Sequence, residues 1–327
     1  MKHLPRHGRF LLAAAVLAAL PAVGCEPAPE PKTVRSSLDV RMSTRPWKTP
    51  YADGLLLESA HYRIYTTADR PMLRTYLPGY MEAAHRNYLE LTGLPAREVE
   101  RPMDLYMLGS RNEWAALTRH VVREQIDLYL SIQAGGYCYE GVCVFWDIGP
   151  HTLSIAAHEG LHQFFDRRLK DPLPMWAEEG LCVTAEGFEL QGESVRFTPE
   201  RNLSRFQALR EVIGGGRWIA ADALLAMDAG DAVAHNPYTA VGYYAQLWAL
   251  VHFLRSRPEH RAGLERMLQD AEAGRFARTI GPDLARLRGR AFSRAAGRKL
   301  FETYITADIA GFDREFYAHA KNLAKLH

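Results

Sequence analysis

The chain has 327 residues, 47% of them hydrophobic and 24% charged. That balance suits one large or two moderate globular domains with a real core, and it excludes general disorder. Forty Lys and Arg against 38 Asp and Glu give a formal charge of +2, so nothing in the overall charge calls for nucleic acid as a partner.

In chain order, Lys2, Arg6 and Arg9 precede the apolar run FLLAAAVLAAL. The run is too short to span a bilayer, so residues 1–24 read as a signal peptide and the chain as exported. Losing that segment moves the formal charge from +2 to −1. Its end, Ala22-Val23-Gly24-Cys25, has the form of a bacterial lipobox with Ala22 where Leu is commoner. Cys25 is then expected to be lipidated and to anchor the chain to the membrane, against plain cleavage nearby. Residues 25–50, opening with the Pro-rich EPAPEPK, read as an extended tether.

Beyond the tether, GLLLESAHYRIYTT reads as strand and RPMLRTYLPGYMEAAHRNYLELTG as an amphipathic helix ending at Gly93. RPMDLYMLGS reads as a further strand and RNEWAALTRHVV as a helix. GGYCYEGVCVFWD predicts a hairpin, with turn residues at its centre. Cys138 and Cys143 flank that turn and could bridge it as a disulfide or remain thiols, while Cys182 is left without a partner. From about residue 200 the chain reads as helical, broken at GGG (214 to 216), HNPY (235 to 238) and SRPEH (256 to 260). The basic run RLRGRAFSRAAGRK, residues 286 to 299, reads as a solvated helix face or as a contact for something anionic. The expected fold class is α+β: residues 51–199 carry a small sheet and a central helix, and residues 200–327 form a helical half packed against them.

The central helix, HTLSIAAHEGLHQFFDRRL, contains His158-Glu159-Gly160-Leu161-His162. Residues four apart on a helix stand one above the other, so His158 and His162 can present both imidazoles to one ion. Glu159 is rotated away from that pair, where a carboxylate can take a proton from water rather than bind the metal. A polar helix face would carry the same residues, and a second element must decide. It follows as LPMWAEEGLCVTAEGF, read as the next helix. Zinc held by two histidines needs a third protein ligand, and Glu178, Glu179 and Glu186 are candidates. Seven residues apart on a helix, Glu179 and Glu186 differ by only about 20° in azimuth. This predicts Glu179 as ligand, Glu186 behind it bonded to a ligating histidine, and Glu178 at the surface. Gly180 leaves room for another helix to approach closely.

HEGLHQFF followed by WAEEGLC resembles the gluzincin pattern of aminopeptidase N-like enzymes, and more closely that of bacterial peptidase MA-like proteins, many of them lipoproteins. The resemblance covers about residues 130 to 255 and implies a zincin-like catalytic domain. Trp176, Glu179, Gly180 and Glu186 fall on the family's Trp, ligand Glu, Gly and supporting Glu. YAQLWALVHFL, residues 244 to 254, is similar to the family segment whose first Tyr binds the oxyanion, which implies that role for Tyr244 and leaves Tyr243 to pack. The resemblance thus implies one Zn2+ per chain and hydrolysis of peptides with Glu159 as general base. In two respects the chain departs from the pattern. Sixteen residues separate His162 from Glu179, where aminopeptidase N-like enzymes have eighteen, and the G-x-M-E-N stretch that holds a substrate's amino terminus is replaced by GGYCYEG. An endopeptidase binding extended peptide along the hairpin fits better than an aminopeptidase. The alternative from another class is an envelope binding or scaffold lipoprotein that holds zinc without turnover.

The anchor reading is checked by fractionation: Cys25→Ser is expected to move the protein from the membrane to the soluble fraction. A variant that stays wholly with membranes would refute it.

Overall fold

Tyr62, Ile64 and Thr66 are buried and alternate with the half-exposed Arg63 and Tyr65, the period of two that a strand with one face on a core requires. The computed structural model describes residues 35–325 apart from 51, 99, 125, 134, 229 and 233–236, with residues 237–239 described in backbone only. The signal segment, Cys25 and the Pro-rich start of the tether lie outside the described residues.

The fold is α+β. Strands β1 (Ser36–Ser37), β2 (Ser43–Lys48), β3 (Asp53–Glu58) and β4 (Tyr62–Thr66) lead into helix α1 (Pro71–Thr92). Strand β5 (Met103–Leu108), helices α2 (Arg111–Val121) and α3 (Ile126–Leu130) and the hairpin β6 (Gly136–Tyr139) and β7 (Val142–Trp146) follow. The two helices at the centre are α4 (Thr152–Arg168) and α5 (Met175–Ala185), after which β8 (Phe188–Gln191) and β9 (Ser194–Phe197) form a second hairpin. The remainder is helical: α6 (Leu203–Gly214), α7 (Ala221–Ala226), α8 (Pro237–Ser256), α9 (Pro258–Ala273), α10 (Phe276–Ile280), α11 (Pro282–Arg286), α12 (Gly289–Tyr304) and α13 (Ile309–Leu323).

The main sheet has six strands in the order β2-β3-β4-β5-β7-β6, parallel at β4/β5 and β5/β7 and antiparallel elsewhere. One face carries α1 and α4, and the other, at the β5-β7-β6 end, packs Leu108, Val144 and Trp146 against Trp114 of α2 and Tyr129 of α3. The β6/β7 hairpin turns at Glu140 and Gly141, with φ of 49° and 74°. These are the two positive φ values that a two-residue turn between twisted strands demands.

Three expectations need correction. The stretch read as one strand, 54–67, is the antiparallel pair β3 and β4, broken at 59–61. The tether ends earlier than residue 50, because β1 pairs with β9, Leu38 is buried, and β2 pairs with β3. The helix read over 173–188 ends at Ala185, and the β8/β9 hairpin, which the sequence did not announce, follows it. The two halves divided at residue 199 share one buried cluster that runs from Leu38 to Ala324. Much of the basic run 286–299 is taken up within the chain: Arg290 and Arg294 pair with Asp231, and Arg298 with Asp222 and Glu302.

His252 of α8 and His319 of α13 meet ring to ring, Nδ1 to Nε2 at 2.9 Å. Burial lowers both from 6.5 to about 4, helped by Arg255 for His252 and by His252 for His319. Between pH 6.5 and 4 the unfolded chain therefore binds more protons than the folded one. Stability should be full above pH 6.5 and fall with pH through that window, by at most about 1.4 kcal/mol per pH unit for each titrating proton. Thermal midpoints measured across this range in wild type and His319→Gln should show the flatter dependence in the variant, and identical curves would refute the assignment.

Candidate metal and catalytic site

Helix α4 runs beneath the sheet with nearly every residue from Thr152 to Phe165 buried. Its one poor helix former has a packing reason. A Cβ on Gly160 would stand 2.5 Å from the Tyr88 hydroxyl and 2.8 Å from Met81 Cε, so the glycine is what lets α1 cross there. Tyr80 and Tyr88 of α1 donate to the carbonyls of Leu153 and Ala157 at 2.9 and 2.8 Å, and the Cys143 thiol donates to the carbonyl of Glu159 at 3.1 Å. These bonds fix the α4 backbone on both sides of His158.

Helix α5 is buried at every position from Met175 to Ala185. Gly180 performs the expected service: a Cβ there would meet Val251 Cγ2 at 2.7 Å and the Leu247 carbonyl at 3.2 Å, so α8 packs directly on α5. Trp176 is fully buried and donates from Nε1 to the Gly297 carbonyl of α12 at 3.1 Å.

The structure brings His158, His162 and Glu179 together. Glu179 Oε2 lies 3.5 Å from His158 Nε2 and 3.8 Å from His162 Nε2, separations too long for good hydrogen bonds. They approach the edge of about 3.3 Å that joins two ligands of a tetrahedral ion bound at about 2.0–2.1 Å. These three atoms, Glu159 Oε2 and the Tyr244 hydroxyl are all buried without a hydrogen-bond partner. Unpartnered buried polar atoms are rare and call for an explanation. Here they belong to the very residues expected to bind an ion, a water and an oxyanion.

Each histidine is held from behind. Glu186, the first residue beyond α5, accepts from His158 Nδ1 at 2.8 Å, as expected of it. His162 Nδ1 bonds to Glu178 Oε1 at 2.9 Å, and Glu178 is fully buried. The expectation that Glu178 faces solvent is therefore wrong. The azimuth argument assumed that α5 has an outer side, but every side is covered, and His162, one turn along α4, falls opposite the neighbouring position.

Asn202 and Arg205, which the sequence did not single out, support Glu186. Asn202 Nδ2 donates to Glu186 Oε2 at 3.0 Å and to the Val183 carbonyl at 3.0 Å. Arg205 grips both oxygens, Nε to Oε2 at 3.0 Å and Nη2 to Oε1 at 2.7 Å. No spacing could have revealed them, because they enter on a separate helix after the unread hairpin.

Tyr244 lies in the third turn of α8, which begins at Pro237. The two tyrosines differ: Tyr243 donates to the Met227 carbonyl at 3.4 Å, while the Tyr244 hydroxyl is buried and unpartnered. Cys138 and Cys143 face each other across β6/β7 as free thiols. The disulfide is not formed, and the Cys143 thiol is engaged with Glu159 instead. Cys182, also free, places its sulfur within 4.8 Å of donor atoms of His158 and His162.

The charges reinforce one another. Burial alone disfavours every ionised group here, and it raises Glu159 to about 6. For Glu179 burial is outweighed by the two histidines, which hold it down to about 2, and for Glu186 by Arg205 and His158, again down to about 2. Burial would lower His158, but Glu179 and Glu186 carry it up to about 9. Two carboxylates whose ionised forms are favoured thus flank imidazoles that attract a positive charge, whether a proton or a metal.

A family model described as a protein of unknown function (DUF1570) matches residues 152–273, a stretch that holds α4, α5, Arg205 and Tyr244. No curated protein and no solved structure matches the chain.

Chelator competition tests the revised roles of the three glutamates. Removing a carboxylate behind a ligating histidine typically costs about 10–100-fold in metal affinity. Glu178→Gln and Glu186→Gln are each expected to weaken zinc by about that factor, and Glu179→Gln by more. An unchanged affinity in Glu178→Gln would return that residue to a purely structural role.

Proposed function

We propose that the chain is a zinc-dependent endopeptidase of gluzincin type, with a zincin-like catalytic domain held at the cell envelope by the lipid on Cys25. The observation that carries the reading is the convergence of His158 Nε2, His162 Nε2 and Glu179 Oε2, all buried and unpartnered, with both imidazoles bonded from behind to carboxylates. Two nitrogens and one carboxylate oxygen are a donor set that zinc accepts, and they leave a position open for reaction.

Zinc, when bound, supplies a Lewis acid. The protein's own residues supply the rest. Glu159 sits beside the ligands with an unpartnered oxygen, and burial holds its pKa near 6, which suits a base that takes a proton from water and returns it to the leaving amine. Glu186 and Glu178 fix the tautomer of each histidine, so that Nδ1 donates and Nε2 is left free to coordinate. The Tyr244 hydroxyl is a donor for charge that develops on the peptide oxygen. Strand β6 lies at the end of the main sheet, beside α4, where an extended substrate can add as a further strand. Among the described residues, no helix is long and apolar enough to cross a membrane.

Cys182 favours a second reading. A fourth protein donor would close the coordination sphere and make this a zinc-holding envelope protein without turnover. Cobalt substitution separates the two, because a thiolate ligand adds a charge-transfer band that is lost in Cys182→Ser.

Profiling the zinc-loaded protein against a peptide library tests the main reading. Glu159→Gln should keep zinc and lose turnover. Tyr244→Phe should lower kcat by about 10²–10³ with zinc content unchanged, and Tyr243→Phe should do little. Full activity in Glu159→Gln, or equal effects of the two tyrosine variants, would overturn the mechanism.

A further inference from the structure

Arg205 touches both Glu186 and Tyr244. Its guanidinium forks onto Glu186, and the same group lies 5.4 Å from the centre of the Tyr244 ring, within range of a cation–π contact. Its side chain is only 13% exposed. Glu186 Oε1 takes both the Arg205 bond and the His158 Nδ1 bond, so displacing the guanidinium must also shift the acceptor that aims His158. The backbone N–H of Arg205 is capped by Asn202 Oδ1, and Asn202 itself bonds Glu186. The start of α6 is thus built around this one carboxylate.

We propose that Arg205 is a positioning residue that couples the His158 side of the metal site to Tyr244, so that one guanidinium controls both how tightly the ion is held and where the oxyanion donor stands. The proposal rests on the zinc reading above. It acts through contacts only: Arg205 holds Glu186 at the His158 imidazole and braces the Tyr244 ring, and it touches neither the ligand atoms nor the reacting ones. A lysine would keep the charge but lose the two-point grip and the planar face over the ring.

The test measures zinc affinity by chelator competition in Arg205→Lys, Arg205→Met, Glu186→Gln and the double variant Arg205→Met with Glu186→Gln. Arg205→Met is expected to bind zinc about 10–100-fold more weakly, with Arg205→Lys in between. In the Glu186→Gln background, Arg205→Met should cost nothing further, because its effect passes through that carboxylate. Arg168→Met is the matched control. Arg168 pairs with Glu272 at side-chain exposures of 13% and 8%, against 13% and 9% for Arg205 and Glu186. The control should lower the thermal midpoint and leave zinc affinity alone. Should Arg205→Met fail to fold, Arg205→Lys decides by the same measurement. For the Tyr244 side, Arg205→Lys at saturating zinc should lower kcat in the wild-type background and have no effect in Tyr244→Phe.

Zinc affinity in Arg205→Lys equal to wild type, losses that multiply with Glu186→Gln, or an Arg168→Met variant that loses zinc equally would overturn the proposal. Wild-type protein that takes up no zinc would instead bring down the zinc reading, and this proposal with it.

Discussion

Burying charge is the constraint on which the rest of this structure depends. Glu159, Glu178, Glu179, Glu186, His158 and His162 all lie in the interior between α4 and α5, where an unpaired ionised group would cost several kcal/mol. The protein answers with a chain of partners. Arg205 neutralises Glu186, Glu186 and Glu178 each take one imidazole, and Glu179 faces both imidazoles from the other side. Glu159 differs from Glu179 and Glu186: burial raises its pKa, where charged partners lower theirs. Of Glu159, Glu179 and Glu186, the carboxylate easiest to protonate is the one whose proposed task is to accept and release a proton.

That arrangement needs helices at unusually close range, and the packing supplies it with small residues and tyrosines. Gly160 admits α1, Gly180 admits α8, and Gly297, whose Cβ would stand 2.3 Å from the Leu225 carbonyl, admits α7 against α12. Tyr80 and Tyr88 then give their hydroxyls to α4 carbonyls, in a helix that already satisfies its own ladder. These are braces, and they hold the backbone that aims His158 and His162.

Much of this was legible in the residues. The spacing of His158, Glu159 and His162, the seven-residue interval from Glu179 to Glu186, and Gly180 each imply a local geometry that the structure contains. The β6/β7 hairpin was equally readable, because Glu140-Gly141 between apolar runs carries its own turn signal. What could not be read depends on neighbours distant in sequence. Glu178 looks like the outer side of a helix until His162 of α4 takes that carboxylate and every side of α5 is covered. Asn202 and Arg205 are ordinary helix-start residues until the β8/β9 hairpin folds them back onto Glu186. In the same way Ser36 and Ser43, at the starts of β1 and β2, gain a strand role from partners, Val195 and Glu58, that local propensity does not name.

The bond from Trp176 to the Gly297 carbonyl has a consequence for where this protein can be cut. The family match ends at residue 273, yet the tryptophan beside the glutamate pair finishes its hydrogen bonding 24 residues past that point. On the other side, α4 rests on a sheet contributed by residues 43–146. A fragment excised at the limits of the match would carry all of the site's side chains and lack both the floor and the wall that hold them. The segment that the family model matches is therefore smaller than the unit that holds the site together.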